Sequence, residues 1–363
     1  MIITAAILLL LILGVSIFLN QPQFGKVATG ERLKRIKQSP NYRDGKFQNL
    51  SPTSDLTEGA TFFKVLKEYL LNKSETVRPS AVLPSFKTDL HELDPQENAL
   101  VWFGHSSYFI QIDGKKFLVD PIFSGRSSPV KFTTKSYKGS DIYTTEDIPE
   151  IDYLFISHDH WDHLDFETIT RLKPKIKKVI TGLGTGAHLE HWGYSKDMIT
   201  ECDWNEEVKL DQGFQVNTAP ARHFSGRAFK RNQVLWMSFV LSTPSMKLYI
   251  GGDSGYDTHF ANIGSAHGPI DLAILECGQY NRNWKYIHMM PEEVVQAAID
   301  LKAKTLLPVH WAKFALSQHS WDEPITRVAI ECEKRNMPFI HPMIGEKINL
   351  KEMEKCATWW INL

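Results

Sequence analysis

The sequence lacks several features that would assign it to a specialised class of protein. Its 363 residues carry a formal net charge of −1, so it has no excess of basic charge of the kind that indicates a nucleic-acid partner. Its four cysteines include no CxxC pair, which argues against a disulfide framework and favours reduced thiols. No internal repeat or low-complexity tract is evident. The composition, 42% hydrophobic and 23% charged, is that of a globular protein long enough for one large α/β domain or two small ones.

The N-terminus also lacks charge. No residue from Ile2 to Leu19 is charged, and a helix of this length spans roughly 27 Å, which just suffices for a bilayer core. Basic residues follow this stretch, from Lys26 onwards, and none precedes it, whereas a cleaved signal peptide normally begins with them. We therefore predict a single-pass membrane anchor over residues 1–19, with a cleaved signal peptide as the alternative. By the positive-inside rule, the rest of the chain stays in the cytoplasm.

The remaining chain divides into two parts. Residues 20–96 are punctuated by proline and serine and contain one predicted helix, over 60–71; we interpret them as a linker and wrapping segment. Residues 97–363 form the main predicted domain, in which strands and helices intersperse and Asp113-Gly114 indicates a hairpin turn. This pattern predicts sheets packed face to face and covered by helices. The predicted strands are 99–112, 116–119, 151–156, 179–181, 214–218, 234–242, 247–250, 272–275 and 305–309, and the predicted helices are 163–172, 291–303 and 323–335.

A cluster of histidines and aspartates follows the predicted strand 151–156. It has the pattern His-x-His-x-Asp-His and comprises His158, His160, Asp162 and His163. Burying such groups without partners costs several kcal/mol each, and a metal ion would satisfy them together. Imidazole and carboxylate ligands suit Zn²⁺ and its first-row neighbours. A histidine-rich surface turn is the alternative, and the apolar strand in front of the cluster disfavours it.

Three further candidate ligands also lie at the ends of predicted strands. His223 follows strand 214–218, and His310 follows strand 305–309. Asp253 follows Gly251 and Gly252, and glycine lets the backbone turn tightly beside an ion. A lone histidine is more often a hydrogen-bonded residue than a ligand, but this shared placement indicates that all three join the cluster.

With these residues, the chain resembles the metallo-β-lactamase fold superfamily over most of residues 99–345. The resemblance implies an αββα sandwich with two metal ions, expected to be Zn²⁺, at one sheet edge. It also implies that Asp120 supports the ligand loop without touching an ion. The implied ligands are His158, His160 and His223 for one ion, Asp162, His163 and His310 for the other, and Asp253 as a bridge to both.

The residue at the bridging position narrows the range of reactions that the site is expected to catalyse. Antibiotic-hydrolysing members commonly carry cysteine there, whereas this chain has Asp253. A carboxylate between two ions favours hydrolysis of phosphoesters, thioesters or lactones, with a shared hydroxide as the nucleophile. Asp162 is the candidate residue that orients this nucleophile.

Other stretches resemble the N-acyl-phosphatidylethanolamine-hydrolysing phospholipase D family. That resemblance implies cleavage of a membrane lipid to phosphatidic acid and an N-acylethanolamine, with His288 as an acid or donor near the phosphate or leaving group. It also suggests a homodimer. The mammalian form binds membranes without an apolar N-terminal span, so the predicted anchor is a departure. The stretches are 102–107, 119–124, 127–129, 252–256, 288–294 and 310–316.

Alternatives remain for several of these assignments. His288 is either catalytic or a histidine at a helix start, and His105 either contacts substrate or braces the metal loop. Tyr280 and Trp284 either line an acyl groove or pack in the core. A metal-dependent lactonase is the second enzymatic hypothesis. A non-catalytic membrane scaffold is the third hypothesis, and the complete set of ligand positions disfavours it.

Overall fold

A computed structural model gives the fold, and it describes residues 2–71, 74–211, 213–354, 356–361 and 363. The helices are α1 (Ile2–Leu19), α2 (Gly30–Gln38), α3 (Phe62–Leu71), α4 (Phe166–Leu172), α5 (Thr185–His191), α6 (His259–His267), α7 (Pro291–Asp300) and α8 (Glu323–Arg335). The strands are β1 (Tyr42–Arg43), β2 (Lys46–Phe47), β3 (Ala99–Trp102), β4 (Tyr108–Ile112), β5 (Lys115–Val119), β6 (Ile151–Ile156), β7 (Ile176–Gly182), β8 (Ile199–Cys202), β9 (Glu207–Lys209), β10 (Gln215–Ala219), β11 (Ser238–Ser242), β12 (Lys247–Ile250), β13 (Ile270–Glu276), β14 (Ala303–Val309) and β15 (Lys347–Asn349).

Two mixed sheets enclose the main core. One has the strand order β15-β3-β4-β5-β6-β7-β8, and the other has the order β14-β13-β12-β11-β10-β9. Side chains alternate between the faces of a strand, so Phe117 and Val119 of β5 join the core between the sheets, whereas Leu118 joins the outer layer. Across the interface, the rings of Phe155 and Phe239 are stacked with centroids 5.0 Å apart. This alternation explains how one sheet buries both of its faces.

Helices cover the outer faces of both sheets. Helix α7 packs on β13 and β14 and contacts α6 and α8, whereas α5 packs on β7 and β8 of the other sheet. The predicted α/β fold of two sheets with helical outer layers is thereby confirmed. All four cysteines are free.

The predicted elements match the observed ones with local corrections. Asp113 and Gly114 form the predicted hairpin turn with φ of 49° and 77°, and they join β4 to β5. The predicted strand 99–112 is wrong as a single strand, because Gly104 and His105 have φ of 81° and 53° and break it into β3 and β4. The predicted helix 163–172 begins only at Phe166, because Asp165 caps it by accepting a hydrogen bond from the Glu167 N–H.

The N-terminal prediction is not supported. Among the residues described, no helix is long and apolar enough to cross a membrane. Helix α1 covers Ile2–Leu19 and has 18 residues. Met1, the first residue of the predicted anchor, lies outside the described residues.

Candidate metal centre

The ends of several strands converge at one edge of the sandwich. Asp120 follows β5 and the cluster beginning at His158 follows β6, and these two strands are parallel neighbours. On the facing sheet, Asp253 follows β12 and His310 follows β14. Crevices beyond the carboxyl ends of parallel strands are common ligand sites in α/β sheets. The topology therefore brings together residues that are far apart in the sequence.

The first group consists of His158, His160, His223 and Asp253, whose potential ligand atoms lie within 4.8 Å of one another. His160 Nδ1 is 2.9 Å from His158 Nε2 and 3.2 Å from His223 Nε2. Three imidazole nitrogens thus point at one small volume.

The second group consists of Asp162, His163, His310 and, in addition to the predicted ligands, His105. Asp162 Oδ2 is 2.9 Å from His105 Nε2, 3.6 Å from His163 Nε2 and 4.0 Å from His310 Nε2. His105 therefore contacts the carboxylate directly, and this contact fits the bracing alternative considered for it.

Asp253 lies between the two groups. Its Oδ2 is 3.1 Å from His163 Nε2 and 3.7 Å from His223 Nε2, and its Oδ1 is 3.2 Å from His310 Nδ1. One carboxylate therefore contacts histidines of both groups, which is the arrangement expected of a bridging residue.

The donor set fits divalent first-row metal ions. Nitrogens bound at about 2.0–2.1 Å to a tetrahedral Zn²⁺ lie roughly 3.3 Å apart, close to the spacing around His160 Nδ1. His163 Nε2 and Asp253 Oδ1 are buried and have no hydrogen-bond partner among the described residues. Buried polar atoms normally have partners, so ions bound between these side chains would resolve the deficit.

The protonation states of four predicted ligands also suit metal binding. Burial holds the pKa of each of His158, His223 and His310 well below its ordinary value, so these imidazoles are neutral and their lone pairs are free. Burial disfavours the charged form of Asp253, but His163 and His310 outweigh it and hold its pKa well below the usual range. Neutral histidine and ionised aspartate are the forms that bind metals.

Asp120 occupies a supporting position. Its carboxylate accepts hydrogen bonds from the Ser157 N–H at 2.9 Å and the Ser157 hydroxyl at 2.6 Å. The same carboxylate lies 2.8 Å from His163 Nδ1. Asp120 thus holds the loop and one predicted ligand in place, consistent with the role that the resemblance to the superfamily implies.

Three residues of the centre have backbone conformations that are uncommon for side chains with a Cβ. The φ angles are 53° at His105, 39° at Asp120 and 70° at His310. Such conformations cost about 1–3 kcal/mol each and are concentrated at functional sites. Two of these residues are also joined directly, since the His310 N–H donates to the His105 carbonyl at 2.8 Å.

The remaining predicted site residues differ in their placement. His288 lies at the centre, with its ring 5.0 Å from that of His223 and 5.4 Å from that of His310. The Tyr280 hydroxyl instead donates to Glu323 at 2.6 Å, and Trp284 Nε1 donates to the Gln279 carbonyl at 3.0 Å. The contacts of Tyr280 and Trp284 are thus with their own loop and α8, not with the predicted ligands.

Sequence reasoning missed three residues that contact the centre. Ser106 Oγ lies 2.8 Å from His310 Nδ1, Glu276 lies against His288, and Asn49 binds the backbone of His223. The sequence could have indicated Glu276, because it is a carboxylate at the end of an apolar strand and Asp253 lies just after such a strand. No feature of the sequence indicates Asn49 as a site residue, since it lies in the segment interpreted as a linker.

The segment after α1 packs on the loop that carries the ligands. The Phe24 ring meets the Trp161 ring edge-on at 5.3 Å. Arg227 Nη1 donates to the Asp159 and Leu164 carbonyls at 2.9 and 2.6 Å, and its Nη2 donates to the Gln23 carbonyl at 2.9 Å. A single buried guanidinium thus links the N-terminal segment to the ligand loop.

Comparison with known families agrees with this geometry. A family model described as "Beta-lactamase superfamily domain" matches residues 115–311, which include β5 to β14 and every predicted ligand. The chain belongs to the beta-lactamase superfamily. Within this superfamily, an uncharacterized protein of Mycobacterium tuberculosis is 38% identical over 328 residues, covering 89% of this chain and 88% of the relative.

Other relatives carry functional names. The N-acyl-phosphatidylethanolamine-hydrolyzing phospholipase D 1 of Caenorhabditis elegans is 31% identical over 229 residues, 59% of this chain and 64% of that protein. The outer membrane protein RomA of Klebsiella pneumoniae is 61% identical over 103 residues, 28% of this chain and 78% of that protein. The phospholipase D relative confirms the predicted resemblance to that branch of the superfamily and, together with the family model, supports a hydrolase.

A solved structure shares the fold of this superfamily member. Igni18, a metallo hydrolase from Ignicoccus hospitalis, matches with a TM-score of 0.54 and 20% identity, over 70% of this chain and 98% of that chain. At this level of identity the likeness concerns the fold alone. It agrees with the two-sheet arrangement described above.

Proposed function

We propose that the protein is a dinuclear metal-dependent phosphodiesterase that cleaves N-acyl-phosphatidylethanolamine-type lipids to phosphatidic acid and an N-acylethanolamine. The proposal rests mainly on the placement of Asp253, because its carboxylate contacts histidines of both groups. An aspartate at this position suits two hard or borderline ions and a charged phosphate substrate. The named phospholipase D relative supports the choice of substrate.

The proposed ligands are those expected from the sequence. His158, His160 and His223 would hold one ion, and Asp162, His163 and His310 would hold the other, with Asp253 shared. When bound, two Zn²⁺ ions would supply Lewis-acid activation of the phosphate and an ionised water near neutral pH.

The protein's own side chains have distinct tasks in this proposal. Asp162, held by His105 at 2.9 Å, orients the attacking water. His288 faces the same centre and supplies a proton to the leaving N-acylethanolamine oxygen, a task for which imidazole is well suited. The side chains of Asp162 and His288 are 14% and 12% exposed, whereas that of Asp253 is 2% exposed. Substrate therefore reaches the centre from the side of Asp162 and His288.

Membrane association is part of the proposal, and α1 supports it. The leucines and isoleucines of α1 are exposed on every side, with Ile3 76% and Leu10 66% exposed. So much apolar surface in water is unfavourable, and a lipid surface would cover it. The name of the RomA relative supports association with a membrane. A cytoplasmic orientation of the catalytic domain and a homodimer remain parts of the proposal.

The decisive experiment is product analysis. Purified, zinc-loaded protein in detergent is incubated with N-acyl-phosphatidylethanolamine and, in parallel, with a panel of lactones. We expect release of phosphatidic acid, lost on addition of a chelator and restored by zinc. The Asp271→Asn variant serves as a control, because Asp271 pairs with Lys304 and the Lys247 N–H.

Two other outcomes would redirect the proposal. Opening of lactones without phosphatidic acid would keep the hydrolase and replace its substrate with the second enzymatic hypothesis. Zinc binding without turnover of either class would favour the non-catalytic scaffold.

A further inference from the structure

Glu276 is a fully buried carboxylate beside the candidate metal centre. It is the last residue of β13 and pairs with Val309, the residue before His310. Its exposure is 0%, and burial raises the pKa of its carboxyl to about 7. Burying a carboxyl group is costly unless specific partners hold it, so its partners indicate its role.

Its partners are two consecutive residues in the turn before α7. Oε1 accepts a hydrogen bond from the Met289 N–H at 3.0 Å and lies 3.3 Å from His288 Nδ1. Oε2 has no partner among the described residues. The Met289 contact fixes the carboxylate against the backbone next to His288, where the same oxygen faces Nδ1 of that imidazole.

The His288 ring is restrained on its other sides as well. It is nearly parallel to the His310 ring, at 22°, and it meets the His223 ring at 67°. A potential ligand atom of His288 also falls within 4.8 Å of those of Asp253 and His310. Because the imidazole is held between two histidines, the hydrogen bond at Nδ1 determines which nitrogen carries the proton.

We propose that Glu276 is a positioning residue that keeps a proton on His288 Nδ1, so that Nε2 faces the scissile phosphodiester and is the nitrogen that takes up a proton from water and passes it to the leaving oxygen. A histidine whose Nδ1–H is bonded to a carboxylate has a defined tautomer and ring orientation. This inference rests on the proposed function for the task of His288, but the tautomer itself is a property of the resting protein. The rival explanation is that Glu276 only anchors the start of α7 through Met289.

The test measures the tautomer and the rate separately. Full-length, zinc-loaded protein carrying ¹⁵N-labelled histidine is studied by NMR, with His288→Asn used to assign the ring signals. We expect protonated Nδ1 in the wild type and in Glu276→Gln, whose amide oxygen still accepts from both partners. In Glu276→Ala we expect loss of that preference, while the metal content stays unchanged.

Kinetics with N-acyl-phosphatidylethanolamine in detergent, whose alkoxide leaving group needs a proton, provide the second measurement. We expect Glu276→Ala to lower kcat about 100-fold with little change in KM, because a misdirected general acid loses a contribution of this order. We expect Glu276→Gln to recover most of the rate. Glu331→Ala is the matched control, since Glu331 is a buried glutamate of α8 that pairs with Lys334 and Arg335.

The outcomes separate this inference from the proposed function. An unprotonated Nδ1 in the wild type would overturn the inference even if Glu276→Ala failed to fold. An unchanged tautomer in folded Glu276→Ala would overturn it in favour of the helix anchor. If the tautomer depends on Glu276 but no phosphodiester is hydrolysed, the proposed function fails and the positioning role stands.

Discussion

The side-chain amide of Asn49 binds both backbone polar groups of His223. Its Nδ2 donates to the His223 carbonyl at 2.8 Å, and its Oδ1 accepts from the His223 N–H at 3.1 Å. The same Oδ1 accepts from Trp236 Nε1 at 3.0 Å. A residue outside the segment matched by the family model therefore fixes the backbone of a predicted metal ligand. The segment interpreted as a linker thus contributes to the metal centre.

Removing this clamp should weaken metal binding. We expect Asn49→Ala to lower the affinity for zinc about 10- to 100-fold, the usual effect of losing a residue that orients a ligand. Competition with a chromophoric chelator measures this affinity. Asn49→Asp should lose less, because it keeps the acceptor for the His223 N–H and Trp236. Asn41→Ala is the control from the same segment, since Asn41 binds Asp203 instead; equal affinities in all three variants would contradict the prediction.

Asp253→Asn should abolish turnover and lower the metal content below two ions per chain. The carboxylate is the group that contacts histidines on both sides, and a neutral amide cannot replace its charge between two cations. Elemental analysis of the purified variant measures the metal content, and a phosphodiester assay measures turnover. Full activity with two bound ions would refute the bridging assignment.

Arg227→Met should destabilise the protein by about 3 kcal/mol, because the carbonyls of Gln23, Asp159 and Leu164 would lose a buried donor. Burial lowers the pKa of Arg227 to about 10, so the guanidinium remains charged at neutral pH and donates to all three carbonyls. Urea unfolding measures the change in the free energy of unfolding. Arg43→Met, at an exposed position, should leave it unchanged. A similar loss in both variants would show that the three contacts are not responsible.

Removing residues 1–15 should reduce binding to lipid vesicles and leave hydrolysis of a soluble diester intact. The truncation removes most of the exposed apolar side chains of α1 and keeps Phe18, whose ring contacts Phe24 at 5.1 Å. Vesicle flotation measures the binding. If the truncated protein floats as well as the full chain, a surface other than α1 carries the association.

Much of the site was predictable from sequence because its ligands are chemically unusual and follow recognisable strands. The cluster from His158 to His163 indicates a metal site without further information, since few other reasons place three imidazoles and a carboxylate within six residues. His223, Asp253 and His310 were predictable once the cluster was known, because each lies just after an apolar strand. The two sheets followed from the same strands, and the hairpin followed from Asp113-Gly114.

Other features depended on contacts that no local pattern encodes. His105 and His310 have positive φ because their loops are joined by a backbone hydrogen bond between distant parts of the chain. Glu276 is important only because the turn before α7 returns His288 to it.

The sequence by itself determined the layered fold and the identities of the predicted ligands, because hydrophobic periodicity and ligand chemistry are local properties of the chain. Only the tertiary structure decided that Asp253 lies between the two groups, that His105 contacts Asp162, and that Asn49 binds the backbone of His223. These relationships arise where loops from both sheets and the N-terminal segment meet. Their geometry depends on packing between residues far apart in the chain, which spacing along the sequence does not specify.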